Sequence, residues 1–220
     1  MKIAAGTYDE NLTVTSGICL EGAGIDQTII SKSGAPGITG EGVSYVIIKD
    51  LTVKSSGGNN EDGGGISLSG SSNITVQSCR LTGNVAANGG GMLVSGSNVT
   101  MDHCLIDGNA VNNVGASMVA EANSSVALTN ITIANNTWSN PLGNGGIGGI
   151  RSYGSNVQVA NSILWGNTSQ NFSGDGFQVS DSDVGGWSGG TNNTNSDPHF
   201  VSATDYHLQS GSAAAGMGIY

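Results

Sequence analysis

The sequence predicts an all-β solenoid, a single right-handed parallel β-helix of about seven to eight coils with nearly no helix. Three observations carry that prediction: a repeat of irregular period, a two-residue apolar alternation within each repeat, and Gly, Asn or Ser at every break in the alternation.

The repeat is plainest where Gly63–Asn84 reads GGGISLSGSSNITVQSCRLTGN and Gly89–Asn109 reads GGGMLVSGSNVTMDHCLIDGN, one residue shorter in a turn. Looser copies end at Asn136 and Asn167, and VSYVIIKDLTVKSS precedes them. With Cys79 as reference the equivalents are Leu51, Cys104, Ile131 and Ser162, giving steps of 28, 25, 27 and 31 residues. That spacing excludes heptads and helical-repeat signatures.

Within each repeat, spans such as Ile74-Thr75-Val76, Val99-Thr100-Met101, Val126-Ala127-Leu128 and Val157-Gln158-Val159 alternate with period two, the period of a strand. About three spans per repeat, separated by turns, stack as parallel sheets with like residues in columns. One domain covers 1–220: first coils over 1–40, regular repeats over 41–167 and irregular C-terminal coils over 168–220.

The columns follow from the alignment. Asn84, Asn109, Asn136 and Asn167 form a ladder at a tight turn, where Asn tolerates left-handed backbone and its amide bonds to the next coil. Asn73, Asn98 and Asn156 form a second ladder, with Ser125 substituting. Cys79 and Cys104 stack inward roughly 4.8 Å apart, either as buried thiols or as a strained disulfide. With Cys19 they are odd in number and match no zinc spacing.

Composition narrows the function. Sixteen acids against six bases give a net charge of −10, with no basic stripe for nucleic acid or anionic membrane. No apolar run approaches the roughly 18 residues that cross a bilayer, so no membrane insertion is expected, and MKIAAG lacks a secretory apolar stretch. An exported parent would carry its signal upstream.

On AAGTYDENLTVTSGICLEGAGIDQTII at the start and NSDPHFVSATDYHLQSGSAAAG at the end, the chain resembles the right-handed parallel β-helix proteins of the pectate-lyase-like superfamily, notably large secreted bacterial ones. The opening carries a Gly-Thr-Tyr-x-Glu turn and a Leu-x-Gly-x-Gly strand exit. The resemblance implies an extracellular or cell-surface location and contact with polysaccharide or a surface glycan. It is weak for activity, since relatives include lyases, hydrolases, epimerases, adhesins and inert surface domains. Against it, the chain starts inside what resembles the first coil, so the usual N-terminal capping helix is expected to be missing, leaving an end that another chain covers, as in a homo-oligomer, or else the sequence is a fragment of a larger protein. The closing SAAAGMGIY also departs from the relatives' pattern.

Chemistry in this superfamily is built on the outward face of one sheet. If Leu51, Val53, Cys79 and Leu81 point inward, then Thr52, Lys54, Arg80, Thr82, Asp107 and Trp165 point outward, with Lys54 and Asp107 two coils apart, about 10 Å. Lys54, Arg80 and Asp107 are the catalytic candidates. A uronate lyase needs a base and a cation to neutralise the sugar carboxylate; Lys54 or Arg80 would be the base, and Glu61, Asp62 and Asp107 would hold calcium. Otherwise these are ordinary solvated charges. No carboxylate pair matches a glycoside hydrolase.

Trp138, Trp165 and Tyr153 are the sugar-stacking candidates, against the alternative of loop anchoring. Asp175, Asp181 and Asp183 could hold calcium or simply form turns. His103, His199 and His207 fall in different coils, and the last two are expected to pack in the terminal coil. The column Thr52, Arg80, Leu105, Thr132, Ile163 is too mixed for an ice-binding face. Two readings survive: a non-catalytic extracellular module, favoured by sparse charge and uniform repeats, and a calcium-assisted lyase on an acidic glycan.

Overall fold

The computed structural model describes residues 1–113, 115–139 and 146–217, and every regular element in it is a strand. Each coil contributes one strand to each of three parallel sheets. Sheet I holds eight strands, from Gly6–Tyr8 to Asp183–Val184. Sheet II holds seven, from Leu12–Thr13 to Phe172–Gly174. Sheet III also holds seven, from Cys19–Glu21 to Phe177–Ser180. A ribbon of Val85–Ala86, Ala110–Val111 and Thr137–Trp138 runs between sheets I and II.

Counted by strands, one per coil in each sheet, the solenoid has the seven to eight coils expected, of which about five are regular turns. The difference lies at the ends, where strands shorten to two or three residues, as at Leu12–Thr13 and Asp183–Val184.

Every corner is built the same way: a residue in the left-handed region, then a buried residue that bonds to the next coil. After sheet I the left-handed residues are Gly83 (φ 62°), Gly108 (60°), Asn135 (55°) and Gly166 (68°), each preceding a ladder asparagine. The ladder asparagines are not left-handed themselves, contrary to the expectation. Their role is hydrogen bonding, and the residue before each one makes the turn.

In that ladder the Asn84 Nδ2 donates to Asn109 Oδ1, Asn109 to Asn136 and Asn136 to Asn167, each at 2.9 Å. Nδ2 of Asn84, Asn109 and Asn136 also donates to a main-chain oxygen of the preceding coil, at Val53, Leu81 and Ile106.

Asn98 and Asn156 align in a column through Ser125, but outside the core, on the solvent side of sheet III; Asn73 stands out of the ladder as an exposed left-handed residue (φ 53°) and has no register partner in it. The buried ladder at that corner is serine. Ser71 N donates to Ser97 Oγ (2.9 Å), Ser97 N to Ser124 Oγ (3.1 Å) and Ser124 N to Ser155 Oγ (3.0 Å). A hydroxyl suffices there because one main-chain N–H per coil needs an acceptor.

The third corner stacks Leu51, Cys79, Cys104, Ile131 and Ser162, all fully buried, as the repeat spacing predicted. Cys79 and Cys104 are free thiols, with Cys79 N donating to Cys104 Sγ at 3.4 Å. Burial pushes the Cys79 thiol well above its usual pKa, which leaves it unreactive.

The core is the stack of inward columns, such as Ile48, Val76, Met101, Leu128 and Val159 on sheet III, each 0–1% exposed. The triple glycines let coils approach closely: a Cβ on Gly65 would fall 2.4 Å from the Gly91 carbonyl oxygen.

Candidate functional site

Sheet I brings its outward candidates together as alternation requires. Thr82 pairs with Lys54 on one side and Asp107 on the other, and Arg80 with Thr52 and Leu105. The charges on this face are already committed. Arg80 Nε donates to Asp107 Oδ1 at 3.0 Å and Nη2 to Oδ2 at 2.8 Å, a bidentate pair in which the carboxylate is 6% exposed.

The C-terminal segment 197–217 covers this pair. Tyr206, 5% exposed, donates to Asp107 Oδ2 at 3.5 Å and accepts from Asn135 Nδ2 at 3.4 Å. Burial, and after it the Asp107 charge, raises the Tyr206 phenol pKa. Phe200 stands edge-on to Tyr206 at 5.1 Å, and both pack on Leu105 and Ala134 as a small satellite core. The outward face of sheet I is thus covered at Leu105, Asp107 and Ala134, while Arg80 is half-buried at its margin. Arg80 is held as the partner of Asp107 and is not placed as a base facing solvent.

Lys54 is exposed, and so are Glu61 and Asp62 in the loop that follows it. Asp62 Oδ1 accepts from Asn88 Nδ2 at 2.8 Å, which ties two adjacent loops. Calcium takes about six to eight oxygen ligands. Glu61 and Asp62 do not fit such a cage: Asp107 is bound elsewhere, and among the described residues no three His, Cys, Asp or Glu side chains cluster.

The aromatic candidates lie on separate surfaces. Trp138 donates its indole N–H to Asn113 O at 2.6 Å and rests on Gly146, where a Cβ would fall 2.1 Å from Nε1. That is loop anchoring. Trp165 is half-buried on sheet I and borders a shallow 410 Å³ groove with Asn135, His199 and Phe200. Tyr153 is half exposed at the corner between sheets II and III, with the Arg151 guanidinium 5.6 Å from its ring centroid.

Asp175 and Asp181 are exposed and accept from Gly154 N (3.0 Å) and Asn192 Nδ2 (3.1 Å) respectively. Asp183 is fully buried. Its Oδ1 accepts from Ser196 N at 3.2 Å, its Oδ2 has no partner among the described residues, and burial raises its pKa. The three do not form one site. His199 and His207 are exposed instead of packed in the terminal coil; Tyr206 and Ala214 fill that place. His207 Nδ1 lies 2.5 Å from Asp205 Oδ1, and this bond lowers the Asp205 pKa. His103, at a corner, lies 2.8 Å from Asp102.

Reading the sequence for charge missed the outward face of sheet III. Its strands are the longest in the molecule, up to six residues, and their outward columns are polar and mostly uncharged. One column runs Ile47, Thr75, Thr100, Ala127 and Gln158 and another Asn98, Ser125 and Asn156, all half or fully exposed and about 4.8 Å apart from coil to coil. Tyr45, 71% exposed, marks one end. The signal was available in the Asn-x-Thr spans, whose Asn and Thr face outward while the central Ile74 and Val99 are buried.

Residues 9–194 match the family model described as a right handed beta helix region. No curated protein matches the chain. Among solved structures, a crystal structure of a pectin methylesterase mutant in complex with a hexasaccharide is similar, with 12% identity and a TM-score of 0.45 over 100% of this chain and 88% of that one. The family model spans most of the sequence, and the chain belongs to the right-handed β-helix family.

Proposed function

We propose that this domain is a non-catalytic β-helix module of an extracellular or cell-surface protein, a rigid spacer that contacts polysaccharide through the outward face of sheet III. The observation that carries this reading is that face itself: open to solvent, with Asn98, Ser125 and Asn156 in one column and Thr75, Thr100 and Gln158 in the next, broken only by Ile47 and Ala127. Amides donate and accept, so repeated Asn, Gln and Thr side chains suit a chain of sugar hydroxyls. The net charge of −10 favours a neutral glycan over an acidic one.

The competing reading, a calcium-assisted lyase, asks Arg80 or Lys54 to act as base beside a bound cation. Arg80 is committed to a bidentate pair with the buried Asp107 carboxylate, which supports the module.

Affinity electrophoresis in gels cast with neutral polysaccharides tests the proposal. The native protein is expected to be retarded by at least one of them. The combined Asn98→Ala, Thr100→Ala, Gln158→Ala variant should bind about tenfold more weakly or worse, the loss of roughly 1.4 kcal/mol. Equal retardation of that variant, or loss of retardation in Trp138→Ala, Trp165→Ala or Tyr153→Ala instead, would move the contact to another surface.

A further inference from the structure

Each strand of sheet II has a parallel neighbour one coil on, until Phe172–Gly174 ends the order. Beyond it the three sheets diverge. Sheet III is prolonged by the bridge from Ser180 to Thr191, and sheet I by the bridge from Asp183 to Thr194. Between those bridges Gly185–Gly190 crosses the sheet II position without forming a strand. One rung is left out, and a groove of 720 Å³ lies there, walled by Ser169–Phe177 and Gly185–Gly189.

The groove is aromatic. Phe172 lies 4.7 Å from Phe177 and 5.3 Å, edge-on, from Trp187. All three rings are half-buried against the end of the main core, and the buried Trp187 indole N–H has no partner among the described residues. In earlier coils the Phe172 position belongs to Ile38, Ile66, Met92, Met118 and Ile150, each covered by the next rung.

The backbone is oriented for a further strand. In the preceding coil Ile150 N donates to Asn171 O, and Ser152 O accepts from Asp175 N, both towards this strand. Their equivalents, Phe172 and Gly174, therefore turn their N–H and C=O groups to the free edge.

We propose that this edge is a strand-addition site. It takes an extended segment of another polypeptide, laid parallel on Phe172–Gly174 with an apolar side chain against Phe172 and Trp187. The ladder it would continue is the one that already joins seven strands of sheet II. A strand supplies amide and carbonyl groups at the spacing that this edge presents, with a side-chain pocket for selectivity. A sugar chain does not repeat at that pattern.

The probe is a synthetic peptide copying Gly90–Gly96 of this chain, a sheet II strand with its flanking glycines, added to the unmodified protein. Amide hydrogen exchange at Phe172 and Gly174 should slow by about tenfold at saturation. The same peptide N-methylated at the positions of Leu93 and Ser95, whose N–H groups would face the edge, should give no protection. Unchanged exchange at both residues throughout the titration would overturn the proposal. So would equal protection by the methylated peptide, or protection by cellohexaose in place of the peptide.

Discussion

Asn109 shows how a single side chain ties coils together. Its Oδ1 accepts from both Asn84 N and Asn84 Nδ2, while its Nδ2 donates to Leu81 O and Asn136 Oδ1. Replacement by alanine strips partners from buried groups on both neighbouring coils. Asn109→Ala is expected to cost roughly 2–4 kcal/mol in chemical denaturation, whereas Asn98→Ala, on the exposed column, should be nearly neutral. Asp183 behaves in the opposite sense. Burial raises its pKa in the fold, so its contribution to stability is complete below the ordinary carboxylate value of about 4 and is lost as pH rises through the raised value. Asp183→Asn keeps an acceptor for Ser196 N and removes the buried charge. Its melting temperature should gain on the native protein's between about pH 4 and pH 7. The asparagine ladder was legible because four copies recur at one position. Asp183 was not, because burial of a single carboxylate in an irregular coil leaves no periodic trace.

At the scale of elements, alternation alone placed Thr52, Arg80, Leu105, Thr132 and Ile163 in one outward column of sheet I, and the strand register has them there. What alternation does not show is whether an outward face meets water. The segment 197–217 occurs once and has no repeat to align, so its return over sheet I had no sequence signature. Tyr206 holds it down by filling the space over Leu105 and Ala134. Tyr206→Ala should cost roughly 3 kcal/mol, and protease digestion followed by mass spectrometry should find new cleavage within 197–217 while the coils stay intact. The serine ladder was also missed, because Ser at a turn is expected on local grounds and only the buried Oγ acceptors distinguish it.

Across the whole molecule, the repeat specified the solenoid because each coil buries only one face of each strand and must stack to close its core. The seven to eight coils expected are met by the strand count, but only about five are regular turns, since the end segments keep turn residues while their strands shorten. The proposed contact surface was harder to read. Charged residues attract attention in a sequence that is 10% charged, and the best cluster of them, Arg80 with Asp107, turned out to be an ion pair around a buried carboxylate. The sheet III face, whose charges are confined to one column with Glu21, Lys49 and Asp102, looked like ordinary strand pattern. The account therefore stands on the claim that sheet I performs no chemistry. The measurement that tests it most directly is ultraviolet absorbance of unsaturated uronate during incubation with acidic polysaccharides, with calcium and with chelator. A flat trace for the native protein and for Arg80→Ala is the predicted result; a calcium-dependent rise that Arg80→Ala abolishes would contradict it.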